Sequence, residues 1–358
     1  MQCDYVDGAD ANWMILKRDL EFTKDLAAAK TRYGFPKTFR VSYTKNSNDS
    51  VWQAANILHD AGMLKSVTLA MQSMDDGVLK AIHRKNIKFD HFGDLVKKYT
   101  DAGISTYTEL IIGLPQESLE TFIDGVQRNL ESGQHSGLFC YVNISLPNTE
   151  QSKPEYVAKY GLRTVPMKAM LTHGTPQNDI PIEMQDTIVE TAAMPHEDWK
   201  RAWLFAKAIE VFHAQGLLQL TARWCREQSV PYATFYKTLI RWLEANPHTV
   251  ASREFAALRK LLEGAVAGGS WDCVDERLGE ISWPPEEFAF ARICLELSTF
   301  YAEIGDFLDM LDVPESVRAE QRAEIAPPPE GKTQEWARLV VFYGRKGNAA
   351  KLRKEGVA

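Results

Sequence analysis

Short apolar runs alternate with longer amphipathic segments over the first 150 residues of the chain. The segments between the runs repeat apolar residues at helical spacing, and the runs themselves are rich in β-branched and aromatic residues. The runs predict strands at Tyr5–Ala9, Phe39–Tyr43, Ser66–Ala70, Thr106–Ile112 and Leu138–Ile144. The segments predict helices at Lys17–Arg32, Ser50–Ala61, Asp76–Ile82, Phe89–Ala102 and Ser118–Glu131. This alternation predicts a parallel sheet or barrel built of βα units.

Glycine marks the end of two of these helices. Gly62 follows Ala61, and Gly103 follows Ala102, each a few residues before the next predicted strand. Glycine adopts the left-handed conformation that closes a helix without steric cost. We therefore expect a left-handed helix end at both positions.

The pattern changes after residue 150. Prolines interrupt residues 151–195, which predicts an irregular extension, and residues 196–312 return to helical spacing with many aromatic residues. Residues 313–358 include three consecutive prolines and predict a loosely held tail. The predicted fold class is α/β, with a partial (β/α) barrel over residues 1–150 followed by a mainly helical C-terminal domain.

Charge and hydropathy exclude two classes of partner. The net charge of −7 provides no basic stripe to displace counterions from nucleic acid, and it disfavours docking to an anionic membrane. No run approaches the roughly 18 apolar residues of a membrane-spanning helix, and the N-terminus lacks the pattern of a signal peptide. We expect a cytoplasmic protein that binds neither nucleic acid nor membrane.

The cysteines are scattered, and none forms a C-x-x-C pair. The histidines also lack the paired spacing of a metal site. This pattern predicts reduced thiols that are mostly buried, and no metal ligands. The five cysteines are Cys3, Cys140, Cys225, Cys273 and Cys294.

Polar side chains stand at the ends of the first two predicted strands. Ligands gather at the carboxyl ends of strands in parallel α/β folds, so these residues are candidates for a binding site. Asp10 either accepts a hydrogen bond from a ligand or caps the next segment. Ser42 shares one strand face with Arg40 and Thr44, which lines either a wet interior or a solvated edge.

The next two strands carry stronger candidates. Glu109 is an acidic residue inside an apolar strand, and a lone buried carboxylate is costly unless it is paired or bound to a ligand. Gly113 allows close approach of a backbone or ligand. Gln72 lies where a strand becomes a loop, and Arg84 follows a short helix. Arg84 either grips a carboxylate or stabilises the helix end.

These segments resemble a known family. "AMQSMDDGVLKAIHRKN", "ISTYTELIIGLPQES" and "LPNTE" resemble the barrel of radical S-adenosylmethionine (SAM) enzymes. "ADANWMILKRD" and "MPHEDW" resemble the group that carries an N-terminal cobalamin-binding domain. The resemblance extends from Asp4 to Tyr236.

The resemblance implies SAM as a cofactor, with a [4Fe-4S] cluster and cobalamin in the family. By position it places Gln72 and Glu109 at the SAM ribose and Arg84 at the methionine carboxylate. It implies that Gly113, Leu114 and Pro115 contact adenine through the backbone, with Ser42 and Asp10 as looser matches near the same cavity. It further implies radical chemistry, either methyl transfer or rearrangement, on a small molecule that the sequence does not identify.

The sequence departs from the family in one respect. It contains no C-x-x-x-C-x-x-C, the motif that holds the family's cluster, and its first strand corresponds to the family's second. We expect the cluster and cobalamin segments to be absent, and no catalytic residue is assigned. Three explanations stay open, namely a partial record or misassigned Met1, a split gene whose partner chain carries the cluster, and a relative without radical chemistry. The non-enzymatic alternative is a binding or scaffold subunit that pairs with a partner chain.

Overall fold

The structure is a computed structural model, and it describes residues 3–44, 49–87, 89–135, 137–176 and 181–343. The chain forms two compact units of mixed α/β content. Unit one comprises Met1–Ser73, His83–Leu110 and Asn129–Phe139. Unit two comprises Met74–Ile82, Ile111–Arg128 and Cys140–Ala358.

Strands and helices alternate through the first part of the chain. The strands are β1 (Tyr5–Trp13), β2 (Thr38–Tyr43), β3 (Val67–Thr68), β4 (Thr106–Ile112) and β5 (Leu138–Val142). The helices are α1 (Arg18–Tyr33), α2 (Asp49–Asp60), α3 (Asp76–Ala81), α4 (Phe89–Asp101) and α5 (Leu119–Glu131). Strand β1 pairs in parallel with β2, and β3 pairs in parallel with β4 in a sheet of order β3-β4-β5.

The ten elements predicted in this part are confirmed. Strand β4 has the predicted bounds, while β3 is reduced to two residues. Beyond β3, Gln72 still forms an isolated parallel bridge with Leu110 of β4, and its φ is 62°. The left-handed helix ends are also confirmed, with φ of 64° at Gly62 and 73° at Gly103.

Alternation along β2 separates an apolar face from a polar face. Phe39, Val41 and Tyr43 are buried, whereas Arg40 and Ser42 are exposed on the opposite face. The apolar face packs on its neighbours, and the Phe39 ring lies 5.6 Å from the Trp13 ring. The alternation expected of β2 is therefore present.

Residues 151–195, predicted to be irregular, contain regular structure. They hold α6 (Pro154–Tyr160) and an antiparallel hairpin of β6 (Arg163–Lys168) and β7 (Met184–Glu190). The sequence concealed β6 because Pro166 interrupts it and most of its residues are exposed or half-buried. Proline and weak alternation both argue against a strand in a sequence.

The helical region of unit two encloses an aromatic core. Its helices are α7 (His196–Ala208), α8 (Gln219–Glu227), α9 (Tyr232–Ala245), α10 (Val250–Val266), α11 (Pro285–Leu295), α12 (Leu297–Glu303) and α13 (Gly305–Asp309). A π-helical turn at Ile209–Ala214 follows α7, and a small hairpin joins β8 (Cys273–Asp275) to β9 (Gly279–Trp283). Fully buried rings fill the core and include Trp199, Trp203, Phe212, Phe235, Tyr236, Phe290 and Phe300.

The region predicted as a tail contains two further helices, α14 (Glu315–Ala323) and α15 (Thr333–Tyr343). The indole of Trp336 in α15 is fully buried, and its Nε1 donates to the carbonyl of Ala326 over 3.2 Å. The sequence did not reveal this packing, because the consecutive prolines in residues 313–358 predict a loosely held segment. The domain boundaries drawn from the sequence stay a prediction.

Candidate functional site

Glu109 stands at the centre of a group of charged and polar side chains in unit one. It shares the less buried face of β4 with Tyr107, while Thr108 and Leu110 between and beyond them are buried. No described residue donates a hydrogen bond to its carboxylate. Burial raises the pKa of Glu109, and the positive charges of Arg40 and Arg84 only partly offset that rise. The site therefore holds a half-buried carboxylate whose oxygens are available to a ligand.

Arg84 is held by backbone and side-chain acceptors. Its Nη2 donates to the carbonyl of Ala70 over 2.8 Å, and its Nε donates to Oδ1 of Asn86 over 2.9 Å. Burial lowers the pKa of Arg84, and Glu109 acts in the opposite direction. Among the described residues, none accepts a hydrogen bond from Nη1. This end of the guanidinium is directed by its two anchors and can meet a carboxylate.

Asn86 fixes the loop that carries Arg84, and the sequence interpretation gave it no role. Its Nδ2 donates to the carbonyls of Met71, over 2.6 Å, and Ser73, over 2.9 Å. Gln72 lies between these two carbonyls, and its backbone N–H donates to the carbonyl of Glu109 over 2.8 Å. The structure thus brings Gln72, Arg84 and Glu109 together. An amide two residues after the arginine was the signal available in the sequence.

The two looser candidates of unit one lie on β1 and β2. Asp10 accepts a hydrogen bond from the backbone N–H of Asn12 over 2.8 Å, so its carboxylate closes a local turn. Ser42 is exposed on the same face of β2 as Arg40. The structure gives no contact that joins either residue to Arg84 or Glu109 within the described part of the chain.

The turn Gly113-Leu114-Pro115 is buried in unit two. Gly113 has a φ of 87°, and a Cβ added there would lie 3.2 Å from the carbonyl oxygen of Ile188 and 3.3 Å from the indole of Trp199. Only glycine fits this conformation and this space. The carbonyl of Gly113 accepts from Nδ2 of Asn143 over 3.1 Å. The sequence predicted that Gly113 allows a close approach of the backbone or of a ligand, and the structure shows a close approach of the backbone of Ile188.

A second charged cluster is fully buried in unit two. Nζ of Lys207 donates to Oε2 of Glu210 over 2.5 Å and to Oε2 of Glu286 over 2.7 Å. Oε1 of Glu210 accepts from the backbone N–H of Cys140 over 2.6 Å. Sequence interpretation missed this cluster. A lysine and a glutamate three residues apart on an aromatic helix were the available signal.

The two carboxylates of this cluster compete for one ammonium group. Burial raises the pKa of Glu210 to about 8, because Lys207 offsets only part of the desolvation and Glu286 adds repulsion. Burial alone would lower the pKa of Lys207, but Glu210 and Glu286 together hold it above its ordinary value. Lys207 therefore stays charged, whereas Glu210 gains a proton more readily than an ordinary carboxyl group.

The cysteines do not fit an iron–sulfur cluster. Within the described residues no group of three or more cysteine, histidine or acidic side chains is placed to hold a metal ion. Cys3 is exposed, and the other four thiols are buried and separate. Burial raises the pKa of Cys140 and of Cys294, which disfavours the thiolate that iron requires. In the same described part of the chain, no helix is long and apolar enough to span a membrane.

Comparison with known proteins identifies the relatives of the chain. It is 35% identical over 353 residues to 2-(S-pantetheinyl)-carbapenam-3-carboxylate methyltransferase of Streptantibioticus cattleyicolor, covering 91% of this chain and 52% of that protein. It is 33% identical over 357 residues to the cobalamin-dependent radical SAM methyltransferase TokK of Streptomyces tokunonensis, covering 92% of this chain and 52% of that protein. The chain is a homologue of the cobalamin-dependent radical SAM methyltransferases. The family resemblance of its motifs is thereby confirmed.

This radical SAM homologue spans about half the length of the curated relatives it matches. No protein-family model matches it. Among solved structures, the radical SAM methyltransferase TsrM of Kitasatospora setae, with cobalamin and a [4Fe-4S] cluster bound, aligns with a TM-score of 0.37 and 16% identity. That alignment covers 45% of this chain and 31% of TsrM. Coproporphyrinogen III oxidase (HemN) of Escherichia coli, a radical SAM enzyme, aligns with a TM-score of 0.28 and 12% identity over 43% of this chain and 50% of that one.

Proposed function

We propose that this chain is the SAM-binding part of a cobalamin-dependent radical SAM methyltransferase. The observation that carries the proposal is the Glu109 carboxylate, which is half-buried, lies near Arg40 and Arg84, and receives no hydrogen bond from a described residue. Both curated relatives are methyltransferases, and one of them is described as cobalamin-dependent and radical SAM. The homology to these methyltransferases and the Glu109 carboxylate, which lacks a hydrogen-bond donor among the described residues, support the same function.

The chemistry of SAM suits the side chains gathered in unit one. SAM offers ribose hydroxyls as donors, and a carboxylate such as Glu109 accepts them. SAM also carries a carboxylate, for which the guanidinium of Arg84 has the right charge and geometry. Gln72, held against the carbonyl of Glu109, is the third member of this group. Ser42 and Asp10 keep the peripheral role that the resemblance implies.

The fold around these residues is proposed to be part of a (β/α) barrel. Parallel pairing of β1 with β2 and of β3 with β4, with helices between, supports this architecture. In such a fold the polar face of each strand points to the interior, where Arg40, Tyr107 and Glu109 would line one wall. Unit two then supplies further elements that follow the last barrel strands.

The cluster and cobalamin are proposed to reside on other residues. The thiols described above do not fit a [4Fe-4S] cluster, and no C-x-x-x-C-x-x-C occurs in the 358 residues. A longer chain or a separate partner chain would bring both groups, consistent with relatives about twice as long. The substrate is proposed to be a small molecule, the class to which the carbapenam acted on by one relative belongs.

A second candidate is a binding subunit that performs no chemistry. It is favoured by β1, which among the described residues pairs only with β2 in a two-stranded sheet and exposes Tyr5, Asp7 and Ala9. An open edge of this kind is a template for another chain. Solution mass distinguishes the candidates, because a monodisperse monomer contradicts the subunit, whereas co-purification with a cysteine-rich chain supports it.

Titration calorimetry with SAM tests the proposed function. We expect weak binding by the wild-type chain, reduced about tenfold or more in Arg84→Ala and in Glu109→Gln, because each loses hydrogen bonds to a charged group. Arg163→Ala is the matched control, since Arg163 forms an exposed pair with Glu190 on the β6–β7 hairpin. Equal affinity of the wild type and Arg84→Ala would reject the assignment of Arg84.

A further inference from the structure

The residues that follow β6 cross to the helical part of unit two, and we call residues 169–176 the strap. The backbone N–H of His173 donates to the carbonyl of Ser282 over 2.8 Å, and the N–H of Ser282 donates to the carbonyl of Gly174 over 2.8 Å. Ser282 lies in β9. These two backbone hydrogen bonds therefore join the strap to the β8–β9 hairpin.

The side chain of His173 adds two further contacts. Its Nε2 lies 2.6 Å from Oε2 of Glu287 in the first turn of α11, with the two side chains 34% and 16% exposed. Its ring meets the ring of Trp283 edge to face, with centroids 5.6 Å apart and planes 80° apart. Trp283 is fully buried. His173 therefore binds the strap to β9 and α11 and helps to bury the indole of Trp283.

The backbone of the strap takes an unusual conformation at the same residue. His173 has a φ of 56°, in the left-handed region. A residue other than glycine stays in that region only where its surroundings hold it there. The neighbouring residues 171, 172, 175 and 176 are exposed. The attachment of the strap to β9 and α11 therefore depends on the contacts of His173.

Glu287 is the charged side chain that contacts the imidazole. An imidazolium attracts the carboxylate by charge as well as by a hydrogen bond, whereas a neutral imidazole keeps only the hydrogen bond. The strap has no charged residue besides His173. Four other charged side chains on or beside β9 and α11 make no bond to the imidazole in the described structure, namely Asp272, Glu280, Glu286 and Arg292. The charge of His173 therefore sets the strength of its contact with Glu287.

We propose that His173 and Glu287 form a pH-responsive latch, which holds the strap on β9 and α11 while the imidazole is charged and releases it more often once the imidazole is neutral. Histidine side chains ordinarily change charge between about pH 5 and about pH 8. The attachment is therefore strongest below this range and weakens as the pH rises through it. Opening of the strap uncovers the indole of Trp283. The latch lies within unit two and is independent of the proposed function.

Hydrogen exchange of single backbone amides on the full chain tests the latch. The N–H groups of His173 and Ser282 exchange when the strap lifts from β9, because each is bonded across that contact. Protection factors, which remove the intrinsic effect of pH on exchange, are compared at about pH 5.5 and about pH 8, a range above the ordinary carboxyl pKa. We expect protection at both amides to fall by about threefold over this interval, as the loss of a partly exposed ion pair implies.

The N–H of Ile188 is the internal reference, because it donates to the carbonyl of Asn143 over 2.9 Å within the same unit but away from the strap. It reports any loss of stability that the whole unit shares as the pH rises. The protection of His173 and Ser282 is therefore expressed relative to that of Ile188.

Glu287→Gln keeps an acceptor and removes the charge. We expect relative protection at His173 and Ser282 to be equal at the two pH values and close to that of the wild type at the higher one. Glu280→Gln, at an exposed position of β9, is the matched control and should keep the wild-type dependence. His173→Asn is the second variant should Glu287→Gln fail to fold, because asparagine tolerates the left-handed backbone. It should give low protection of Ser282 at both pH values.

Two results would overturn the latch. One is wild-type protection at His173 and Ser282 that follows Ile188 at both pH values, and the other is a Glu287→Gln variant with undiminished pH dependence. A dependence that is confined to these two amides and lost in Glu287→Gln, with Glu280→Gln unchanged, would support it. Each result holds whether or not the chain binds SAM.

Discussion

The backbone N–H of Cys140 donates to the carboxylate of Glu210 over 2.6 Å, although 70 residues separate them in the chain. Through this bond a residue of the π-helical turn accepts a hydrogen bond from a backbone N–H of strand β5. Lys207 and Glu286 complete the buried cluster around Glu210. The cluster thus links Cys140 to α7 and α11 within unit two.

The raised pKa of Glu210 predicts that stability falls as pH rises. The ordinary carboxyl pKa is 4.5, and that of Glu210 in the folded chain is about 8. Between these two pKa values the folded state binds more protons than the unfolded state. The contribution of Glu210 to the free energy of unfolding is therefore complete at a pH below 4.5 and is lost as the pH rises to about 8. We expect the free energy of unfolding of Glu210→Gln, minus that of the wild type, to increase across this range.

Urea unfolding at a series of pH values measures this difference, and we expect an increase on the order of a few kcal/mol. Glu21→Gln is the control, since Glu21 forms an exposed pair with Lys24 on α1. Its difference from the wild type should not vary with pH over the same range. A Glu210→Gln difference that is independent of pH would contradict the raised pKa of Glu210.

Lys207 should be more important to stability than any exposed lysine. Lys207→Met removes the only ammonium of the cluster and leaves Glu210 and Glu286 facing each other in a buried site. Loss of one partner from a buried pair costs about 3–5 kcal/mol. Lys200→Met on the same helix breaks a pair with the largely exposed Glu197, and a solvent-screened pair of this kind contributes little to stability. Chemical denaturation of the two variants at one pH compares them, and equal losses would show that the buried cluster adds nothing.

The sequence predicts elements that depend on neighbouring residues better than elements that depend on contacts between distant parts of the chain. The bounds of β4 followed from its apolar alternation, and the left-handed Gly62 and Gly103 followed from helix ends, because each depends on neighbours in the chain. The β6–β7 hairpin was concealed because its stability comes from cross-strand pairing over residues that read as exposed and proline-interrupted. Propensity is a weak guide wherever tertiary packing decides.

The same distinction holds for the candidate site. Glu109 and Arg84 could be proposed from the sequence because a carboxylate in an apolar strand and an arginine after a short helix are locally unusual. Asn86 and Asn143 were not found, since an asparagine in a loop is ordinary until the carbonyls it binds are known. Residue types that signal chemistry by themselves are predictable, whereas residues that orient others require the fold.

Glu109 predicts a pH dependence of SAM binding. Burial raises its pKa above the ordinary 4.5, so the carboxylate gains a proton at a higher pH than a free one does. A protonated Glu109 loses part of its accepting capacity and its attraction to the positively charged ligand. We expect the affinity of the wild type for SAM to fall as the pH is lowered from neutrality toward the ordinary carboxyl value, a range in which the SAM carboxylate does not titrate.

Calorimetry with Glu109→Gln checks the origin of this effect. The variant should bind SAM more weakly than the wild type at neutral pH, and its affinity should be constant over the same range. Glu120→Gln, at an exposed position in the first turn of α5, should retain the wild-type profile. A pH profile of Glu109→Gln that parallels the wild type would assign the titration to another group.

Trp336 tests whether α15 is part of the folded structure. Its indole is fully buried, and Nε1 donates to the carbonyl of Ala326 over 3.2 Å. Truncating a buried tryptophan to alanine costs about 3–5 kcal/mol, because the lost contacts leave a cavity. We expect Trp336→Ala to lower the free energy of unfolding by this amount, measured by urea denaturation with far-ultraviolet circular dichroism. Met310→Ala, at a site 64% exposed, should change it by less than about 0.5 kcal/mol. A Trp336→Ala variant as stable as the Met310→Ala control would mean that α15 contributes nothing to unit two, as expected of the loosely held tail that the prolines predict.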